Sequence, residues 1–198
     1  MPSTSATLDA LTPLLQRTTN DPRPVAVMMC GLCGTGKSSL AHAIVAAHHD
    51  SPRIFTRLSL DGIVHERHGL YGVDYEPALR EAYEDEAEEI FGQRLREVLS
   101  RGGDVVLDRA FYAKEDRVAW RGLVEGLGAR VVLVFFKVRD REVVWRRVRA
   151  RWDVRGELKG ERKGDVSVEV TREFFDKWVD GFEEPVGEGE WVVEVEVE

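Results

Sequence analysis

Three features of the sequence predict an α/β fold with about five parallel strands sandwiched by helices. Runs of strand length, such as Val25–Cys30, Asp104–Asp108 and Arg130–Val138, alternate with stretches of helical composition. The cores of these runs are apolar throughout rather than every second residue, as expected of strands buried on both faces of a parallel sheet. The chain has 198 residues, 43% of them hydrophobic, and shows no internal repeat. That size buries a core of its own and leaves little room for a second full domain.

Residues 1–24 are rich in Ser, Thr and Pro, with one apolar patch at Leu8, Leu11, Leu14 and Leu15, and read as an N-terminal extension to a domain spanning 25–198. The first strand ends at Gly31, and Ser38 to His49 reads as a helix. A second strand is expected over Ile54–Leu60, ending at Asp61-Gly62. A long acidic helix follows from Tyr75 to Leu99. Gly102-Gly103 breaks it before the third strand, Asp104–Asp108, and Lys114 to Leu127 looks helical. Arg130–Val138 is the clearest strand, followed by an arginine-rich helix over Arg141–Arg151. Residues 153–166 are rich in glycine and charge and read as a mobile loop within a lid of about 151–170. Thr171 is placed to cap a helix running to Gly181, and Trp191–Val197 alternates valine with glutamate as a half-solvated final strand.

Lys and Arg number 28 against 36 Asp and Glu, a net charge of −8, which disfavours general binding to nucleic acid or anionic membrane. No apolar run reaches the length of a membrane span, and Met1–Asn20 lacks the basic and apolar regions of a signal peptide, so a cytoplasmic address is expected. Cys30 and Cys33 form a CxxC, but a zinc site needs more ligands and the five histidines lack metal-site spacing. A stronger motif claims the same residues.

That motif is Gly31-Leu32-Cys33-Gly34-Thr35-Gly36-Lys37-Ser38, a full GxxxxGK[ST] between a predicted strand and a predicted helix. Its glycines let successive N–H groups turn inward, and the helix N-terminus adds partial positive charge, so the loop suits phosphates. Lys37 is placed for the β- and γ-phosphates, Ser38 for Mg²⁺, and Ser39 follows within the same helical turn. ATP is the expected nucleotide: Asn20 is the sole asparagine, so no Asn-Lys-x-Asp guanine-reading motif exists.

Asp61 and Asp108 both stand at ends of predicted strands, where open parallel sheets place their ligand crevice. Asp61 suits a general base for an attacking hydroxyl, with a turn or helix-cap role as the alternative. Asp108 suits the Mg²⁺ shell through water, and Arg109 suits substrate or phosphoryl charge, with a surface ion pair as the alternative. From Arg139 to Lys163 ten basic residues face five acidic ones, a local balance of +5 in an acidic chain. Arg147 and Arg151 share a helical face and Arg155 lies just beyond, so this segment is a candidate lid that neutralises the transferring phosphoryl group. The acidic run Glu81, Glu84, Asp85, Glu86, Glu88 and Glu89 reads as a solvated helix face. Trp145, Trp152, Trp178 and Trp191 read as packing residues, with Trp152 near enough to the lid to touch a base.

With these residues in place, the chain resembles the P-loop kinase group that includes zeta toxins, chloramphenicol phosphotransferase, gluconate kinase and polynucleotide kinase. The resemblance rests on Gly31–Ser38, Asp61, Val105-Val106-Leu107-Asp108-Arg109-Ala110-Phe111-Tyr112, the arginines around 147–155 and Phe182-Glu183-Glu184-Pro185. It implies a P-loop NTPase of nucleoside-monophosphate-kinase-like fold, an arginine-rich lid, an Asp61 base, and transfer of the ATP γ-phosphate to a hydroxyl. Polynucleotide kinases of this type carry Arg three positions after the aspartate; Val64 stands there. His65 or His68 weakly echoes a histidine of the gluconate kinases. The expected partners are therefore ATP and a hydroxyl-bearing small molecule. Polynucleotide 5′-hydroxyl phosphorylation ranks second, a nucleotide-sugar kinase of zeta-toxin type third. A different class of function, an ATP-binding switch that uses the glutamate-rich C-terminus as a partner surface, is separated from these by acceptor-dependent turnover.

Overall fold

The computed structural model describes residues 3–51, 53–71, 73–157 and 171–195, with the backbone alone over 151–157. Five strands form one sheet: β1 (Val25–Gly31), β2 (Phe55–Ser59), β3 (Asp104–Asp108), β4 (Arg130–Val138) and β5 (Trp191–Val195). Their spatial order is β2-β3-β1-β4-β5, and every pairing is parallel. The helices are α1 (Thr4–Leu15), α2 (Lys37–Ala47), α3 (Leu60–His68), α4 (Arg80–Ser100), α5 (Lys114–Gly126), α6 (Arg141–Glu157) and α7 (Arg172–Asp180). Among the described residues no helix is long and apolar enough to cross a membrane.

The unbroken apolar runs have the expected cause. Every residue of β1 is buried, because successive side chains enter opposite cores. Ala26, Met28 and Cys30 join Phe91, Leu95 and Leu99 of α4 and Val124 of α5. Val25, Val27 and Met29 join Leu40 and Ile44 of α2 and Leu11 and Leu15 of α1. Each fully buried leucine of α1 contributes on the order of 1.5–3 kcal/mol of apolar burial.

The stretch expected as an extension is thus stitched to the sheet. Beyond the two leucines, Arg17 donates to Asp104 Oδ1 at 2.6 Å and Arg130 Nη2 donates to the carbonyls of Leu14 and Gln16 at 2.8 Å. Sequence alone missed this because the anchoring partners lie 87 and more than 100 residues away.

Several boundaries differ from the expectation. The second strand stops at Ser59, whose hydroxyl accepts from Gly62 N at 3.1 Å and caps α3. Asp61 is therefore in the first turn of a helix rather than at a strand end. The long acidic helix starts at Arg80, preceded by a 3₁₀ turn over Pro77–Leu79, since Pro77 suits a helix start and not a helix interior. The helix after the phosphate motif closes at Ala47, leaving His49 beyond it. The arginine-rich helix runs on to Glu157, so residues 153–157 are helical rather than loop. The rest of the expected lid, 158–170, lies outside the described residues. Thr171 caps α7 as expected, its hydroxyl accepting from Phe174 N at 3.2 Å.

Candidate functional site

Because β1, β2 and β3 are parallel neighbours, their C-terminal ends open on one side of the sheet. A cavity of about 520 Å³ lies there. Cys33, Gly34, Gly36, Lys37, Ser38 and Ser39 line it after β1. Asp61 and His65 line it after β2, and Asp108, Arg109 and Tyr112 after β3.

The loop after β1 turns on glycine. Gly31 (φ 144°) and Gly34 (φ 83°) both have positive φ. A Cβ on Gly34 would come within 3.0 Å of Val148 and 3.2 Å of Val144, so α6 packs directly on the loop. Any other residue there would meet both that contact and a left-handed backbone costing roughly 1–2 kcal/mol. Gly31 N donates to Ala110 O at 3.0 Å, tying the loop to the segment after β3. Gly31, Leu32 and Thr35 do not line the cavity. They support it from beneath, with Leu32 O accepting from both Thr35 Oγ1 and Lys37 Nζ at 2.7 Å.

Lys37 is buried, and burial pushes its ammonium below the usual lysine range, opposed by the neighbouring Cys33, Asp108 and Asp61. A buried lysine at the N-terminus of α2 suits a polyanion, whose oxygens favour its charged form. Ser38 Oγ donates to Asp108 Oδ1 at 3.2 Å, bringing together the two residues expected at Mg²⁺. Both are hard oxygen donors of the kind Mg²⁺ takes. Arg57 grips the other Asp108 oxygen at 2.6 and 2.8 Å, fixing the carboxylate's orientation. Sequence reading passed over Arg57, whose signal was a guanidinium inside a strand.

Asp61 is exposed on the cavity wall, and its place in the first turn of α3 also sets it favourably against the helix dipole. Arg109 lines the cavity, but its guanidinium is taken by Glu88 at 2.8 Å and lies over the rings of Phe111 and Trp120. Arg147 is half-buried on α6 and outside the cavity lining. Arg151 belongs to the same helix, its side chain outside the described residues. The helix that carries them packs on the phosphate loop through Val144 and Val148.

Of the acidic run on α4, Glu81, Asp85 and Glu89 are exposed as expected, and the other three acids hold cations. Glu84 holds Arg80 at 2.6 Å, Glu86 holds Arg67 and His68, and Glu88 holds Arg109. Glu84 and Arg80 line the cavity with Tyr71 and Tyr75, and Trp178 does so from α7. None of these carried a motif. Their proximity follows from α3 packing on α4 and from the ring of Trp178 stacking on Tyr112.

The segment after β3 is held by a buried clamp. Phe111 has φ 45°, the sole positive value among described non-glycine residues. Its carbonyl accepts from Arg117 Nη1 at 3.0 Å and from Cys30 Sγ at 3.4 Å. Glu183 N donates to Tyr112 O at 3.2 Å, which places Phe182-Glu183-Glu184-Pro185 against this segment.

Comparison with curated proteins finds no match. Solved structures of the same fold include a candidate kinase from Chloroflexus aurantiacus (14% identity, 86% of this chain and 85% of that one, TM-score 0.65). Kti12 of Chaetomium thermophilum, in complex with ADP-AlF3, matches at 18% identity over 85% and 88% of the two chains, TM-score 0.60. A gluconokinase from Sinorhizobium meliloti matches at 19% identity over 91% and 85%, TM-score 0.52. At these identities the likeness is one of fold, a parallel P-loop sheet of kinase type. The family described as an AAA domain matches residues 27–185, and the chain belongs to that family of P-loop, kinase-like proteins.

Proposed function

We propose that the chain is an ATP-dependent phosphotransferase that moves the γ-phosphate to a hydroxyl of a small molecule. One observation carries this reading: a phosphate-loop lysine, a serine–aspartate pair and a second carboxylate, Asp61, line one cavity at the ends of three adjacent strands. The family and the fold of its kinase-type neighbours support it.

In this reading the amides of Cys33–Ser38 and the helix α2 N-terminus hold the phosphates. Lys37 exchanges its contact with Leu32 O for a phosphate oxygen, whose negative charge favours the ammonium. Ser38 and Asp108 would hold Mg²⁺, which supplies charge neutralisation at the phosphates. Asp61 takes the proton of the acceptor hydroxyl as its oxygen attacks the γ-phosphorus. The bond from that phosphorus to the ADP oxygen breaks, and ADP leaves with the electron pair. Arg147 and Arg151 are assigned to charge neutralisation when the lid approaches, and Arg109 to the cavity floor.

Asp61→Asn tests the assignment of the base. The chemical step is expected to fall on the order of 10²-fold or more, with ATP affinity unchanged by calorimetry. Loss of ATP affinity in parallel with rate would make Asp61 a nucleotide-positioning or structural residue instead.

A further inference from the structure

The cavity extends well past the phosphate loop, and that outer part has a definite chemistry. Its wall from the α3–α4 connection carries Tyr71 and Tyr75, their rings 5.8 Å apart and edge to face. Across the floor, Trp178 stacks on Tyr112 at 5.8 Å, and Phe174 beside it on α7 is 51% exposed despite being apolar. Aromatic faces left half-open around a cavity offer stacking surfaces to a planar ring.

Both guanidiniums there already hold a carboxylate. Beyond Lys37, the described lining residues include two guanidiniums, Arg80 and Arg109. Arg80 is held by Glu84 at 2.6 Å and lies 5.4 Å over the Tyr71 ring. Arg109 is held by Glu88 at 2.8 Å, and 13% of its side chain is exposed. Against these two guanidiniums the same lining sets three carboxylates outside the phosphate loop's serine–aspartate pair, Asp61, Glu84 and Asp116, so a phosphate or carboxylate on the acceptor adds like charge to an acidic wall. An uncharged acceptor leaves both pairs intact and can still accept hydrogen bonds from the outer edge of Arg80.

Resting on the phosphotransferase reading, we propose that the acceptor is an uncharged alcohol carrying a flat ring, seated between the Tyr71–Tyr75 wall and the Tyr112–Trp178 stack. At about 520 Å³ in all, the cavity is of the size of small-ligand sites rather than a polymer groove. Anionic sugars, nucleotides and polynucleotide ends are thereby disfavoured as acceptors.

The test offers the full chain with Mg²⁺ and γ-labelled ATP to three pools of small metabolites from a cell extract. The pools are the anions retained on an anion exchanger, the uncharged compounds retained on an apolar resin, and the uncharged compounds that pass both. Label is expected in the second pool. Label in the anionic pool overturns the charge argument, and label in the third overturns the ring. Both of those results leave the phosphotransferase reading standing. No label in any pool, with ATP binding demonstrated by calorimetry, overturns both readings together. For the labelled compound, Tyr71→Ala is expected to raise acceptor KM about 2- to 10-fold, as loss of one aromatic contact does, with kcat and ATP affinity near wild type. An unchanged KM would remove Tyr71 from the acceptor site.

Discussion

Arg117 and Glu188, 71 residues apart, are joined by two hydrogen bonds of 2.8 Å, and the arginine is 1% exposed. The remaining guanidinium nitrogen donates to the carbonyls of Phe111 and Tyr112 at 3.0 and 3.3 Å. The pair thus locks the turn that follows Asp108 and lines the cavity, and it does so from the segment leading into β5.

Truncating one partner leaves the other charge buried without compensation, so Glu188→Ala is expected to cost about 3 kcal/mol in chemical denaturation. The Arg117 hydrogen bonds hold the Glu188 carboxyl below its ordinary value of 4.5. A carboxyl lowered in the folded state stabilises fully above its unfolded pKa, and that stabilisation is lost as pH falls through the folded value. Glu188→Gln should accordingly flatten the loss of stability below about pH 4.5. An unaltered acid limb would show that the pair contributes nothing there.

Lys37 predicts a proton linkage in nucleotide binding. Burial lowers its pKa in the free protein, and phosphate oxygens around it would raise the value in the complex. Affinity for ATP should be greatest below the free-state pKa and fall as pH rises between the two values, with net proton uptake on binding. Calorimetry in buffers of different ionisation enthalpy measures that uptake, and Lys37→Met should abolish it. Equal uptake in the variant would assign the proton elsewhere.

The two cysteines should behave oppositely. Neither is in a disulfide. Cys30 is fully buried, and burial pushes its thiol up to about 12, whereas Cys33 is half-buried and lines the cavity. A bulky thiol reagent on the folded protein is expected to label Cys33 and block ATP binding, with ATP protecting the thiol. Peptide mapping that finds Cys30 labelled first, or ATP bound normally after Cys33 is modified, would contradict this geometry.

How much was legible in the sequence follows from the range of each interaction. Asp104–Asp108 and Arg130–Val138 were readable to the residue because apolar runs and the glycines before them are local signals. The phosphate loop was readable because its residues are contiguous. Asp61 was placed one element too early, since Ser59 and not Asp61 caps α3 and no local pattern separates the two. Arg57 on Asp108, Arg117 on Glu188 and Arg80 at the Tyr71 wall were not legible. Each depends on which strands and helices become neighbours, and one chain's periodicity does not encode that.

The most direct test of the phosphotransferase account is label transfer from γ-labelled ATP with Mg²⁺ into a small-molecule extract, comparing the native chain with Lys37→Ala of verified fold. The account predicts label in an acceptor with the native chain and its loss in the variant. A native chain that binds ATP and labels nothing, or a variant that transfers as well as the native chain, would contradict it.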